Sequence, residues 1–525
     1  MNLGQFFEHW NITENPFRGE EARHDAVFAR LARDGGSTEG GENGEAPARQ
    51  PDARHSDFEK IVGDLARPST SIVFGEKGSG KTALRLQIGA RVRAHNEREP
   101  SNRVLMVAHD DLNAVLDRFH ERSSQKTALE SLSHFRLVDH IDAMLLWAVP
   151  RLVDALIEDP TPEGALELGQ SGRKAMRSLD GGARRDVLLL QALYDRPDSA
   201  DLRTRQLRKA LRMPRGGARW AWDVVLFTGW VLPLAALIGW WQLGGGTRGI
   251  PDFVWWVLLA AGAAVWAAAT VKRLVVDRLA MQRLGKKVRR QVRVTSRPEA
   301  SYAASLAELE PVLASAAVLP TTDADDTRYA MLDRLRRVLS PMGYRGLLIV
   351  IDRVDEPTLI SGNAEAMRAL IWPLLSNKFL QMDGVGVKML LPIELRHALY
   401  RESSAFFQEA RLDKQNLVDR LSWTGAMLYD LCDARLKACL ASGSDKITLV
   451  DLFDEDVTER DLVDALDQMH QPRDAFKFLY QCLSEHCSNV TAQQQAWRVP
   501  RLVLESVRKQ QSERVQQLYR GISPA

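Results

Sequence analysis

The chain has 525 residues, enough for two or three domains, and its 45% hydrophobic and 26% charged content excludes a disordered or fibrous class. A formal charge of +2 gives no argument for nucleic acid or any other highly charged partner, so the placement of the basic residues carries the information. Cys432, Cys439, Cys482 and Cys487 form no C-x-x-C pair and have no metal-ligand spacing with histidine. They read as buried small hydrophobes rather than as a disulfide framework or a zinc site.

From Met1 to Arg30 there is no apolar run of signal-peptide length, so the N-terminus is expected in the cytoplasm. Residues 1–32 read as a short segment ending in a helix, and 33–56, rich in Gly, Glu, Pro and Ser, as a flexible loop. The apolar run Ser71-Ile72-Val73-Phe74 predicts a strand that feeds a glycine loop and a helix from Lys81 to about Ala94. A second strand is predicted over Arg103 to Ala108, followed by Asp110 and Asp111, so 57–111 begins a parallel α/β sheet. Residues 112–219 predict a helical insertion broken at Asp159-Pro160-Thr161-Pro162, and 274–325 a basic, helical return segment. The sheet resumes within 326–410, at Gly346 to Ile351 and Val387 to Leu391, with a helix from about Asn363 to Leu375 between them. Everything after Arg411 reads as helical, a C-terminal lid over 411–525.

Between these halves, 220–273 holds two uncharged apolar segments, 224–241 and 253–271. Each is long enough to cross about 30 Å of hydrocarbon as a helix. Basic residues flank the pair, from Arg203 to Arg219 before it and from Lys272 to Arg290 after it, whereas the connecting loop carries only Arg248. The positive-inside rule then predicts a transmembrane hairpin with both flanks and both termini in the cytoplasm. Trp220 and Trp222 are expected at the inner interface, and Trp240, Trp241, Trp255 and Trp256 at the outer one. A pair of core helices in a soluble protein is the alternative.

Gly75-Glu76-Lys77-Gly78-Ser79-Gly80-Lys81-Thr82 fits G-x-x-x-x-G-K-[ST], after a strand and opening a helix. In such a loop the backbone N–H groups cradle phosphates, Lys81 reaches the β and γ phosphates, and the Thr82 hydroxyl ligates Mg2+. The partner motif is the apolar strand that ends at Asp352, whose carboxylate would hold the magnesium ion. ATP and Mg2+ are therefore the expected cofactors, and the absence of an N-K-x-D base-reading motif mildly favours ATP over GTP. His109, His120 and His397 have no metal-ligand partner at useful spacing.

The D-x-hydrophobic-D-E ending, Asp352-Arg353-Val354-Asp355-Glu356, resembles the NACHT and related STAND classes of P-loop NTPase. A transmembrane insertion between the two nucleotide motifs resembles the related KAP class. The resemblance implies a P-loop NTPase parallel sheet with a large helical insertion, the hairpin and a helical lid. It makes Asp355 or Glu356 the candidate catalytic acid. Where these classes carry a small residue this chain has Arg353, which implies slow or assembly-dependent hydrolysis. Gln471-Pro472-Arg473-Asp474-Ala475-Phe476 is similar to the start of the lid helix in STAND and origin-recognition ATPases, which makes Arg473 a candidate γ-phosphate sensor. A surface role for Arg473 is equally compatible with the sequence. Arg396, Arg401, Arg411 and Arg420 are candidate arginine fingers, and nothing in the sequence selects among them.

By this resemblance the expected protein is a homo-oligomeric, nucleotide-dependent switch at the bacterial inner membrane, with a role in antiviral defence. A membrane-bound ATPase motor for secretion or remodelling is the second reading. A DNA-associated ATPase is the third, disfavoured because the basic helix with Arg498, Arg501, Arg508, Lys509 and Arg514 also carries Glu505 and Glu513.

Overall fold

The computed structural model describes residues 1–18, 21–34, 54–123, 125–158, 166–213, 217–243, 251–315, 317–441, 447–491, 494 and 496–519. The expected flexible loop, except for its ends, the Asp159-to-Pro162 breaker and the hairpin loop at 244–250 lie outside these residues. The chain divides into two compact units: 1–112 with 346–525, and 113–345.

The first unit is built on five parallel strands, β1 (Ser71–Gly75), β2 (Arg103–His109), β3 (Tyr344–Ile351), β4 (Val385–Pro392) and β5 (Asn416–Val418), in the order β2-β3-β4-β1-β5. Buried parallel strands need apolar side chains on both faces, which is why Leu347 to Ile351 and Met389 to Leu391 read as continuous apolar runs. β5 corrects the expectation that everything after Arg411 is helical. This three-residue strand pairs with β1, Ser71 opposite Asn416, and is too short to show a period against its helical neighbours.

Beside the sheet, the two ends of the chain share one core. Phe6, Ile12, Phe17 and Val27 are buried among Leu428, Cys432, Leu436, Phe478 and Leu483. Trp10 donates its indole N–H to the Trp497 carbonyl at 2.8 Å, and Arg435 joins Asp25 at 2.7 Å and the Pro16 carbonyl at 2.7 Å. All four cysteines are free and buried in this unit.

The second unit is helical. Its principal helices, Leu137–Ile157, Gly181–Tyr194, Ala200–Ala210, Glu299–Ala307 and Asp325–Leu339, pack around buried ion pairs as well as apolar side chains. Asp142 accepts from the Tyr194 hydroxyl at 2.8 Å and faces the fully buried Arg328 at 3.3 Å. Burial pushes the Asp142 carboxyl up to about 6 against the pull of Arg328. Within this unit, two helices are long and apolar enough to cross a membrane, Trp222–Gln242 and Phe253–Gln291. Only 11% and 6% of their apolar stretches are buried, so they are not core helices. They pack on each other: Gly262 meets Pro233, Gly239 meets the Trp255 ring, and the Trp266 indole N–H donates to the Leu226 carbonyl at 3.0 Å. The first helix is interrupted after Thr228, where Pro233 lacks the N–H that would bond Gly229. The second continues through a π-helical turn at Lys272–Val276, well past the predicted end at 271. At its basic end Arg273 pairs with Asp223 at 2.7 Å, and Lys272 lies 4.0 Å from the Trp222 ring centre.

One buried group in the sheet has no acidic partner to offset it. Lys388 on β4 is 0% exposed and donates to Ser71 Oγ at 3.1 Å, and burial brings its amine down to about 7. Below that value both folded and unfolded chains carry the proton. Between about 7 and the ordinary 10.5 only the unfolded chain does, so stability falls as pH is lowered through that window. At about 1.4 kcal/mol per pH unit, the loss at neutral pH is of the order of 4–5 kcal/mol. Lys388→Met should therefore raise the melting temperature at pH 7 and flatten its rise between pH 7 and 10, as measured by calorimetry. Ser71 keeps its bond to the Ile61 carbonyl in the variant.

Candidate functional site

β1 ends at Gly75, and the chain turns through Glu76 to Gly80 before entering the helix Lys81–Arg98. Gly78 and Gly80 have φ of 99° and 93°, the left-handed region that glycine adopts without a Cβ clash. A Cβ on Gly78 would also lie 2.8 Å from Gln471 Oε1 and 3.2 Å from Arg473 Cβ. Residues 75–80 thus form a close backbone turn at the carboxyl end of the sheet. The N–H groups of the helix's first turn have no intrahelical partners there, and the helix dipole is positive.

Lys81 donates to the carbonyls of Gly75 at 2.8 Å and Glu76 at 3.0 Å. Burial lowers its pKa; Asp355, Asp352 and Glu394 raise it, and Arg473 lowers it further. That balance brings together Lys81 and Asp352, which sequence motifs predicted, and Glu394, which they did not. Asp352 lies just past β3, one strand away from β1 across β4, and is 1% exposed. Burial raises its carboxyl pKa, while Arg85, Lys81 and a hydrogen bond from Thr82 lower it. Arg85 Nε approaches Asp352 Oδ2 at 3.3 Å, an ion-pair distance without good hydrogen-bond alignment, and Arg85 Nη1 holds Asp110 at 3.0 Å. Arg23, from the N-terminal segment, also reaches Asp110, at 2.8 Å.

The second acidic pair divides. Asp355 lies within electrostatic range of Lys81. Glu356 is exposed and held in an ion pair by Arg353, which also approaches Glu21 at 3.4 Å. Arg353 takes a φ of 60°, a left-handed conformation that carries it away from the β3 direction and back onto Glu356.

The helix Pro472–Asn489 begins against the glycine turn. Gln471 donates to the Glu76 carboxylate, which Arg420 also pairs at 2.7 Å. The Trp423 indole N–H donates to the Ser79 carbonyl at 2.9 Å, and the His55 ring stands edge-on to Trp423 at 5.0 Å. Glu76, Arg420, Leu421, Ser422, Trp423, His470 and Gln471 line a cleft of about 300 Å³ beside the turn. Lys77 forms no ion pair among the described residues, and Ser79 Oγ is buried without a hydrogen-bond partner. Of the four arginines proposed as fingers, Arg420 is on Glu76 and Arg396 lies 5.1 Å from the Tyr400 ring centre; neither Arg401 nor Arg411 is placed at the turn by any contact.

Two participants have a legible signal in the sequence that the motifs did not single out. Arg85 lies four residues after Lys81, on the same helix face. Glu394 follows an apolar strand much as Asp352 does, two residues beyond Pro392. Gln471 opens the motif quoted for the lid helix, but spacing gave no sign of its bond to Glu76. Trp423 had no comparable signal.

As to Mg2+, the residues fit. Hard oxygen donors from Thr82 and Asp352 converge, with the Thr82 hydroxyl against the buried Asp352 carboxylate. Among the described residues no group of three or more His, Cys, Asp or Glu makes a metal site unaided. No family model matches the chain, and neither a curated protein nor a solved structure matches it.

A mutant cycle tests the pairing at the base of the site. Arg85→Met should destabilise the protein by a few kcal/mol, because it leaves Asp352 buried without its nearest cation. Adding Asp352→Asn should recover part of that loss, giving a coupling of at least about 1 kcal/mol in denaturant unfolding.

Proposed function

We propose that this chain is a membrane-anchored P-loop ATPase of the STAND/KAP kind, an ATP-dependent switch that assembles with copies of itself. The observation that carries the reading is the approach of Lys81 and Thr82, at the start of a helix behind a glycine turn, to the buried Asp352 at the end of β3. The backbone N–H groups of residues 78–82 would hold the β and γ phosphates, and the Lys81 amine would leave the carbonyls of its own loop for phosphate oxygens. Bound Mg2+ would neutralise charge on the phosphates, with Thr82 and Asp352 as its protein ligands. Asp355 is the better candidate of the two acids for orienting the attacking water, because Glu356 is tied to Arg353. The cleft beside the turn, with Trp423 in its lining, would take the aromatic base. Arg473, at the start of its helix and close to Gly78, would respond to an added γ phosphate.

The two exposed apolar helices and their basic flanks support an integral membrane protein with the hairpin as anchor. By resemblance alone, the role we favour is bacterial antiviral defence at the inner membrane.

Turnover and particle mass of the detergent-solubilised protein test this reading. Wild type should bind ATP, hydrolyse it slowly and gain mass with nucleotide, and Lys81→Ala should lose all three. Asp355→Asn should keep binding and lose turnover about 100-fold, whereas Glu356→Gln should change it by less than about 10-fold. Wild-type nucleotide affinity in Lys81→Ala would reject the site. Rapid turnover with constant mass would favour a steady motor. For the membrane, we expect the protein to stay in the pellet after alkaline carbonate extraction; release into the supernatant would remove the anchor.

A further inference from the structure

The helical unit contains a second cleft, of about 860 Å³, with no role in the reading above. It is formed by the end of the helix Leu137–Ile157, the short helix Gly172–Ser178, the start of Gly181–Tyr194 and the end of Ala200–Ala210. Arg173, Arg177, Arg184, Lys209 and Arg212 line it, against one acid, Glu158. Its remaining lining comprises the exposed Gln206 and Ala210, the half-buried Ile157, and Leu156, Met176 and Leu211 buried behind them. Gly172 sets the geometry: a Cβ there would fall 2.3 Å from the Leu156 carbonyl, so only glycine lets the short helix lie this close and bring Arg173 and Arg177 to the rim.

Among the described residues, no acid forms an ion pair with these cations. Several arginines elsewhere in the same unit are matched: Arg196 and Arg203 to Asp154, Arg205 and Arg208 to Glu308, Arg334 and Arg337 to Asp186. In the cleft, Arg184 bonds to the carbonyls of Leu179 and Leu211, while Arg173, Arg177, Lys209 and Arg212 form no ion pair among the described residues. Gathering like charges around a concave surface raises the local positive potential, and apolar side chains behind it lower the dielectric against which a ligand's charge is felt. Arg212 moreover holds a φ of 55°, an uncommon conformation for a side chain of its size.

We propose that this cleft is a binding site for a phosphate-bearing anion with an apolar portion, separate from the glycine turn. Guanidinium groups suit phosphate because their fixed fork of N–H donors matches its oxygens. The volume exceeds what a bare phosphate fills, and Ile157 and Ala210, the apolar lining residues with accessible surface, can take the apolar portion. Two sources share this chemistry. One is a soluble phosphorylated metabolite; the other is an anionic lipid headgroup, since Arg212 precedes the apolar helix beginning at Trp222 by only ten residues. The site does not depend on ATP binding.

Full-length protein carrying Lys81→Ala, which silences the first phosphate site, is purified in an uncharged maltoside detergent for the test. It is titrated with pyrophosphate, with dihexanoyl phosphatidylglycerol and with dihexanoyl phosphatidylcholine, read by calorimetry and thermal shift. We expect at least one of the two anions to bind, weakening as salt rises, and phosphatidylcholine not to bind. Arg177→Gln with Lys209→Gln should weaken that binding at least about 10-fold, since a charge-assisted contact is lost at each position. Arg177→Lys with Lys209→Arg should retain most of it. Pyrophosphate binding assigns the soluble source, and binding of phosphatidylglycerol alone assigns the lipid. Arg177 and Lys209 are exposed, so the melting temperature should be unchanged; if the double variant melts early, Arg173→Gln alone should still weaken binding several-fold. No binding of either anion, or equal binding in wild-type cleft and variants, overturns the proposal.

Discussion

A carboxylate buried at the end of a hydrophobic strand must be compensated, and the arrangement around Asp352 follows from that requirement. The desolvation cost of an isolated ionised carboxyl exceeds what most single contacts return. Arg85, Lys81 and Thr82 approach Asp352 from one helix, and Arg85 extends the chain of charges to Asp110 and on to Arg23. Since Lys81 and Thr82 open that helix, the same compensation fixes where the glycine turn stands relative to β3. The N-terminal segment is drawn into the network through Arg23 and Glu21, which explains why residues so far from the motif in sequence lie beside it.

The strands that read clearly from sequence were those whose surroundings demand it. Ser71 to Phe74 and Leu347 to Ile351 are apolar because both faces of the sheet are covered there, whereas Arg103 to Ala108, on the edge strand, leaves Arg103, Met106 and Ala108 half-buried. β5 was illegible because three residues cannot establish a period, and its partner, β1, lies more than 300 residues earlier in the chain. The two apolar helices were legible from length and charge alone, while the break after Thr228 depended on Pro233 and the π turn at Lys272 had no sequence marker. Burial of Phe6, Ile12 and Phe17 against Leu428 and Phe478 was equally hidden, since pairing between distant segments leaves no local pattern.

Around the glycine turn, a motif reports residue types at fixed spacing but not which of two neighbouring acids faces the lysine. Asp355 and Glu356 are adjacent and chemically equivalent on paper. The left-handed turn at Arg353 separates them, directing Arg353 onto Glu356 and leaving Asp355 within range of Lys81. Arg353, which as a departure from motif implied slow hydrolysis, thus has a structural task whatever its effect on rate. Gln471, Trp423 and Arg420 have contacts with the turn that sequence spacing could not specify, because each is contributed by the far end of the chain.

The position of the helical unit has a further consequence, for the order in which the molecule is made. β1 and β2 leave the ribosome first, but their sheet cannot close until about 230 residues later, when β3 and β4 arrive to sit between them. Closing a flexible loop of that length costs about 5 kcal/mol in chain entropy, and a separately folded insertion that holds its ends together removes much of it. The apolar helices emerge during this interval, while β1 and β2 still expose unpaired edges. If the two apolar helices enter a bilayer, their insertion would precede completion of the sheet, and the half that carries the glycine turn would mature only on chains already held at a membrane.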